Sequence, residues 1–124
     1  MRLSYILNWC IVGGAIGLLT LMGCSKPPEA LTAAEVPAAV REAFSEAPPE
    51  IKQLAEQAVA SFEAKNFPKA LGDFQQLTSR PDLTKKQRDL ASRCLLTVNQ
   101  SLQDAQAAGD KEAEKVLRFR QLTK

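Results

Sequence analysis

The sequence feature that most constrains the fold is an apolar run that extends from about Tyr5 to Met22. A positive end precedes this run, formed by the initiator amine and Arg2, and three glycines interrupt it. A short positive end followed by an apolar segment is the layout of a secretory signal peptide. Removal of residues 1–23 from a chain of 124 leaves 101 residues, which is enough for one small domain.

The four residues from Leu21 to Cys24 resemble the lipobox of bacterial lipoproteins, which is a leucine, a variable residue, a small residue and a cysteine. The resemblance implies that a signal peptidase recognises Leu21 and Gly23 and cleaves before Cys24. It also implies that Cys24 carries a diacylglyceryl group and fatty-acyl chains such as palmitate, and two or more chains anchor a protein stably. In that family an aspartate after the cysteine favours retention in the inner membrane, so Ser25 permits the outer membrane.

An uncleaved single-pass membrane helix is the alternative interpretation of the apolar run. The run is shorter than the roughly 20 apolar residues that a spanning helix needs, and it contains Asn8. Both interpretations keep Arg2 on the cytoplasmic side of the membrane. The residues after Cys24 therefore face the periplasm or the exterior, anchored at the cell membrane or the outer membrane.

The rest of the chain predicts an all-α fold. It is rich in Ala, Leu, Glu, Lys and Gln, which favour helices, and it lacks the alternating pattern that is typical of strands. Pro27 and Pro28 favour extended backbone. We therefore predict a signal peptide over 1–23, the lipidated cysteine with a flexible tether over 24–36, and a small all-α domain of antiparallel helical hairpins over 37–124.

Apolar spacing and capping residues predict where the helices of this domain begin and end. Asn66 suits a left-handed stop between two helices. Thr84, followed three residues later by Gln87, indicates a capping box at a helix start. Gly109 ends that helix, and Asp110 caps the last one. The predicted helices cover about 37–47, 50–65, 67–78, 85–108 and 111–122.

Residues 51–83 resemble a tetratricopeptide-type repeat, in which two helices joined by a tight turn are followed by a proline-marked turn. The positions that carry the resemblance are Leu54, Ala58, Phe62, Asn66, Phe67, Ala70, Phe74 and Pro81. The resemblance implies stacked helical hairpins, in which small and large side chains let one helix nestle against the next. Residues 110–117 echo the first unit at a longer offset, and a short antiparallel bundle stays open as the alternative.

Several kinds of chemistry are excluded by composition. The chain has no histidine, which removes Ser-His-Asp and Cys-His catalysis and the usual zinc ligands. If Cys10 leaves with the signal peptide and Cys24 is lipidated, Cys94 is the one remaining thiol. Cys94 lies on an apolar helix face, which favours a buried and inert side chain over a disulfide between chains. We predict a protein that is not an enzyme and has no cofactor.

Charge is distributed unevenly. Residues 25–64 carry a net charge of −4 and residues 65–124 a net charge of +5. This asymmetry is too diffuse for a nucleic-acid partner. Lys85, Lys86 and Arg88 lie in the first turn of the predicted long helix, where positive charge opposes the helix dipole. They are either ordinary surface or a contact for an anionic surface, namely lipid headgroups or an acidic protein.

Taken together, these patterns predict a lipid-anchored cell-envelope protein that acts as a non-enzymatic interaction or scaffolding module. Its expected partners are the membrane, through the lipid anchor, and another protein. Self-association stays open. The alternative function is a structural spacer between membrane and wall without a specific client.

Overall fold

The computed structural model describes residues 27–124, and the predicted signal peptide with Leu21, Gly23 and Cys24 lies outside the described residues. The described part of the chain is all-α, with five helices and no strand, which confirms the predicted fold class. The helices are α1 (Val36–Ala43), α2 (Pro49–Glu63), α3 (Phe67–Thr78), α4 (Lys85–Ala107) and α5 (Lys111–Leu122).

The link between α1 and α2 is shaped by the Pro48-Pro49 pair. The residue before a proline avoids helical backbone, so the chain must leave α1 before Pro48. It does so at Phe44, earlier than the predicted end near residue 47, and the Ala47 amide closes a turn onto the Phe44 carbonyl at 3.1 Å. Pro49 then occupies the first position of α2, where a missing amide hydrogen costs nothing.

The turn between α2 and α3 corrects one prediction. Lys65, with a φ of 57°, is the left-handed residue, and Asn66 has a φ of −84°. The Asn66 amide reaches back to the Ser61 carbonyl at 3.0 Å, which satisfies a free carbonyl at the end of α2. The Asn66 side chain is thus available as the N-cap of α3, where Oδ1 accepts from the Lys69 amide at 3.3 Å.

Both ends of α4 and the start of α5 are close to the boundaries predicted from the sequence. Thr84 and Gln87 form a complete capping box at the start of α4. Gln87 also donates from Nε2 to the Ala43 carbonyl at 3.2 Å, which ties α4 to the end of α1. Gly109 adopts a φ of 94° after α4, and Asp110 accepts hydrogen bonds from two amides of α5.

One core joins all five helices. Its largest fully buried side chains are Phe44, Phe74, Ile51, Leu77 and Leu102. The helix α3 packs against both α2 and α4, while α1 packs against α2 and α4 on its own side. The helix α5 packs against α4 and, less extensively, against α3. Only Ala113 of α5 is fully buried, so α5 is the helix that contributes least to the core.

A buried carboxylate joins α2 to α3. Asp73 is 9% exposed, and its Oδ2 accepts from Ser61 Oγ at 2.5 Å and from Lys69 Nζ at 2.8 Å. Its Oδ1 accepts from Gln57 Nε2 at 3.1 Å. Both carboxylate oxygens are therefore satisfied, as a buried charge requires.

Two residues of the predicted tether are bound to α4, and its last residue, Val36, begins α1. The Glu29 carbonyl accepts from Arg93 Nε at 2.7 Å, and the Leu31 carbonyl accepts from Thr97 Oγ1 at 2.7 Å. Leu31 also packs against the core. Residues 29–31 are thus held in a defined place before α1 begins.

Candidate functional site

The helix α5 exposes large apolar side chains. Phe119 is 67% exposed, and Leu122 is 80% exposed. The face that meets the core instead carries Ala113, with Val116 and Leu117 half-buried. Phe119 lies six positions after Ala113, which places it about 120° away round the helix, so it does not share the face that meets the core.

Phe119 borders a groove between α3 and α5. This groove has a volume of about 430 Å³. It is lined by Leu71, Gln75, Lys115, Val116, Phe119 and Arg120. Leu71 and Val116 form an apolar floor, and we call this feature the α3–α5 groove. An open groove with an apolar floor and a few polar groups at its rim suits an amphipathic ligand.

The rim of the α3–α5 groove is positively charged. Lys115 pairs with Glu112 at 2.7 Å, and this hydrogen bond raises the pKa of Lys115. Arg120 donates to Asn99 of α4, so its guanidinium is held by a neutral partner. Arg118 pairs with Glu114 one turn earlier on α5. Two cations, Lys115 and Arg120, therefore line the groove, and both belong to α5.

The predicted basic group of α4 is divided by the structure. Lys85 and Lys86 line a second cavity, of about 580 Å³, between α1 and α4. Arg88 is not among its lining residues, and its Nη2 reaches the Pro81 carbonyl at 3.4 Å instead. Arg93, which the sequence did not indicate, lines this cavity together with Glu42.

The rim of the second cavity is mixed in charge. Asp89 pairs with Lys85 at 2.9 Å, and the Lys85 side chain is 91% exposed. Lys86 lies beside this pair, and Arg93 is held by the Glu29 carbonyl. We call Lys85, Lys86 and Arg93 the basic rim. No acidic residue lies in the first turn of α4 to balance it.

The thiol of Cys94 is buried, as its apolar neighbours indicate. Its side chain is inaccessible, and burial raises the pKa of this thiol to about 12. The neutral thiol is therefore the form present in the folded protein at neutral pH. A thiolate is the form that attacks substrates or binds metals, so Cys94 serves as a packing residue.

Within residues 27–124, no group of three or more cysteine, aspartate or glutamate side chains is placed to hold a metal ion. Over the same residues, no helix has both the length and the apolar character needed to cross a membrane.

The chain matches no protein family, no curated protein sequence and no solved structure at a significant level.

Proposed function

We propose that this protein is a lipid-anchored component of a bacterial cell envelope that binds another protein through the α3–α5 groove and performs no catalysis. The observation that carries the binding part of the proposal is the 67% exposure of Phe119, which lines that groove, with Leu122, 80% exposed, three residues later in the chain. Large apolar side chains rimmed by polar ones are typical of protein-binding surfaces.

The chemistry of the groove indicates the kind of partner. Leu71, Val116 and Phe119 give the groove an apolar lining, which suits the apolar stripe of a helix. Lys115 and Arg120 flank them and favour acidic side chains at the edges of that helix. The partner segment is therefore an amphipathic helix with acidic flanks.

Anchoring of the protein rests on the residues Leu21 to Cys24, whose order resembles a lipobox. Cleavage before Cys24 leaves few residues between the lipid and the docked segment at Glu29. The domain is consequently held close to the membrane surface, and its clients are proteins of the same envelope.

The binding proposal is tested by affinity purification from detergent-solubilised envelopes. The informative variant is Phe119→Gln with Leu122→Gln, since glutamine keeps the helix propensity and removes the apolar contact. The matched control is Leu96→Gln, which replaces an apolar side chain that is 40% exposed on α4. We expect a defined partner with the wild type and the control, and its loss with the double variant. If no partner is enriched, or the double variant retains it, the groove is not the binding site and a spacer becomes the better account.

The anchoring proposal is tested by intact mass spectrometry of the protein made in a bacterial host, for the wild type and Cys24→Ala. We expect a wild-type species that begins at Cys24 and carries acyl mass, and its absence in the variant. A full-length chain without acyl mass would remove the lipid anchor from the proposal.

A further inference from the structure

The docked segment before α1 has a defined direction along α4. Residues 29 and 31 contact α4 at Arg93 and Thr97, respectively. Two residues of extended chain span about 7 Å, and four residues of helix span about 6 Å, so the two contacts are in register. The segment from Glu29 to Leu31 runs parallel to α4, so Glu29 is its end nearer to the N-terminal part of α4, which carries Asp89, Lys86 and Lys85.

The distance from this segment to Cys24 is short. Cys24 is five positions before Glu29, and five residues of fully extended chain reach about 17 Å. The stretch of α4 from Arg93 back to Lys85 covers about 12 Å. A lipid on Cys24 therefore holds the basic rim close to the bilayer surface.

We propose that the basic rim of Lys85, Lys86 and Arg93 is the face that the anchored domain turns toward anionic phospholipid headgroups. This inference rests on the lipid anchor of the proposed function and does not depend on the α3–α5 groove. It assigns an orientation: α1 and the first half of α4 face the membrane.

The charges at the rim support a lipid occupant. Lys85 and Lys86 lie at the positive end of the α4 dipole, an unfavourable place that an anionic surface relieves. Lys26 adds a further cation on the chain between Cys24 and Glu29. Glu42 and Asp89 offset part of this charge, so the attraction is modest, and the lipid anchor supplies the high local concentration that makes it sufficient.

The test uses the full chain, processed and acylated in a bacterial host and reconstituted into vesicles whose headgroups carry a quencher. In the acylated protein Cys24 is a thioether and Cys94 is buried, so one engineered cysteine can be labelled selectively. A fluorophore is placed at Ala39→Cys, which lines the cavity beside the basic rim, or at Gln75→Cys, which lines the α3–α5 groove.

We expect stronger quenching at residue 39 than at residue 75 in vesicles of equimolar phosphatidylcholine and phosphatidylglycerol, and a smaller difference with phosphatidylcholine alone or at high salt. Lys85→Glu with Lys86→Glu should reduce the population that faces the membrane by about five-fold for each lysine removed. The matched control, Lys111→Glu with Lys124→Glu, makes the same charge change at the start of α5 and two residues after its end, and it should leave the quenching unchanged.

Equal quenching at both reporters would overturn the inference. The inference would also be overturned if the difference in quenching between residues 39 and 75 disappeared in the Lys111→Glu, Lys124→Glu control but not in the Lys85→Glu, Lys86→Glu variant. In that case α5 would be the membrane face. Failure of the anchor itself appears earlier, as missing acyl mass, and is thereby distinguished from failure of the orientation.

Discussion

The buried carboxylate of Asp73 gives the sharpest test of how α2 and α3 are held together. Replacement of Asp73 by alanine removes the acceptor of Ser61 Oγ, which lies at 2.5 Å, and that of Gln57 Nε2, at 3.1 Å. It also leaves the Ser61 hydroxyl, only 6% exposed, without an acceptor. Lys69 loses its carboxylate partner but stays in contact with water, because its side chain is 51% exposed.

The magnitude follows from these exposures. A buried hydrogen bond to a charged group contributes about 1.5–3 kcal/mol, and this range applies to the bond between Ser61 and Asp73. The pair of Lys69 with Asp73 adds roughly 0.5 kcal/mol, since the lysine is half exposed. Alanine has a better helix propensity than aspartate, which offsets about 0.6 kcal/mol of this loss. We therefore expect Asp73→Ala to lower the free energy of unfolding by about 2 kcal/mol, and Tm by roughly 8–16 °C.

The assay is thermal and urea unfolding followed by far-UV circular dichroism. Asp89→Ala is the matched control, because Asp89 also pairs with a lysine four residues earlier, but both partners are exposed. The control should change stability by less than about 0.5 kcal/mol. A double-mutant cycle with Ser61→Ala should give a coupling of about 1–2 kcal/mol. If Asp73→Ala costs no more than Asp89→Ala, the reasoning about the buried carboxylate is wrong.

Three further predictions concern two glycines, the Cys94 thiol and the docking of residues 29–31 on α4. Gly109→Ala should lower the free energy of unfolding by about 1 kcal/mol, because Gly109 has a φ of 94°. Gly72→Ala, at an open helix position, should raise it by about 0.5–1 kcal/mol, and urea unfolding distinguishes the two signs. Burial raises the pKa of Cys94 from 9.0 to about 12. The stability that its neutral thiol contributes is therefore complete below pH 9. Between pH 9 and about 12 the free energy of unfolding should fall by about 1.4 kcal/mol per pH unit, because only the unfolded chain loses the thiol proton there. Cys94→Ala should flatten that part of the stability curve, and an unchanged slope would contradict the assignment. Thr97→Val removes the donor to the Leu31 carbonyl and should speed amide exchange over residues 29–35 without a large change in Tm; unchanged exchange would show that the bond does not hold the segment.

The helix boundaries that could be predicted are those fixed by local chemistry. The capping box of Thr84 and Gln87, the left-handed Gly109 and the cap at Asp110 each depend on residues within one turn of the boundary. Their outcome is set before any tertiary contact forms, so the sequence alone is sufficient. The burial of Cys94 was likewise predictable, because apolar residues lie on its helix face both before it, at Ala91, and after it, at Val98.

Other features depend on contacts between distant parts of the chain. Arg93 and Thr97 bind the carbonyls of residues 29 and 31. Because every residue has a backbone carbonyl, the sequence does not mark which of them accepts a hydrogen bond. Arg88 is separated from Lys85 and Lys86 because its Nη2 donates to the Pro81 carbonyl, which is again a carbonyl that no sequence pattern marks. The exposure of Phe119 could be seen only once the neighbours of α5 were known.

The shallow seating of α5, with Ala113 as its single fully buried residue, has a consequence for the motions of the molecule. A helix of 12 residues is marginal by itself in water, so its persistence depends on packing against its neighbours. Detachment and melting of α5 should then cost much less free energy than global unfolding. The amides of α5 are expected to exchange with solvent in a sub-global opening, and a ligand bound in the α3–α5 groove would slow that exchange selectively.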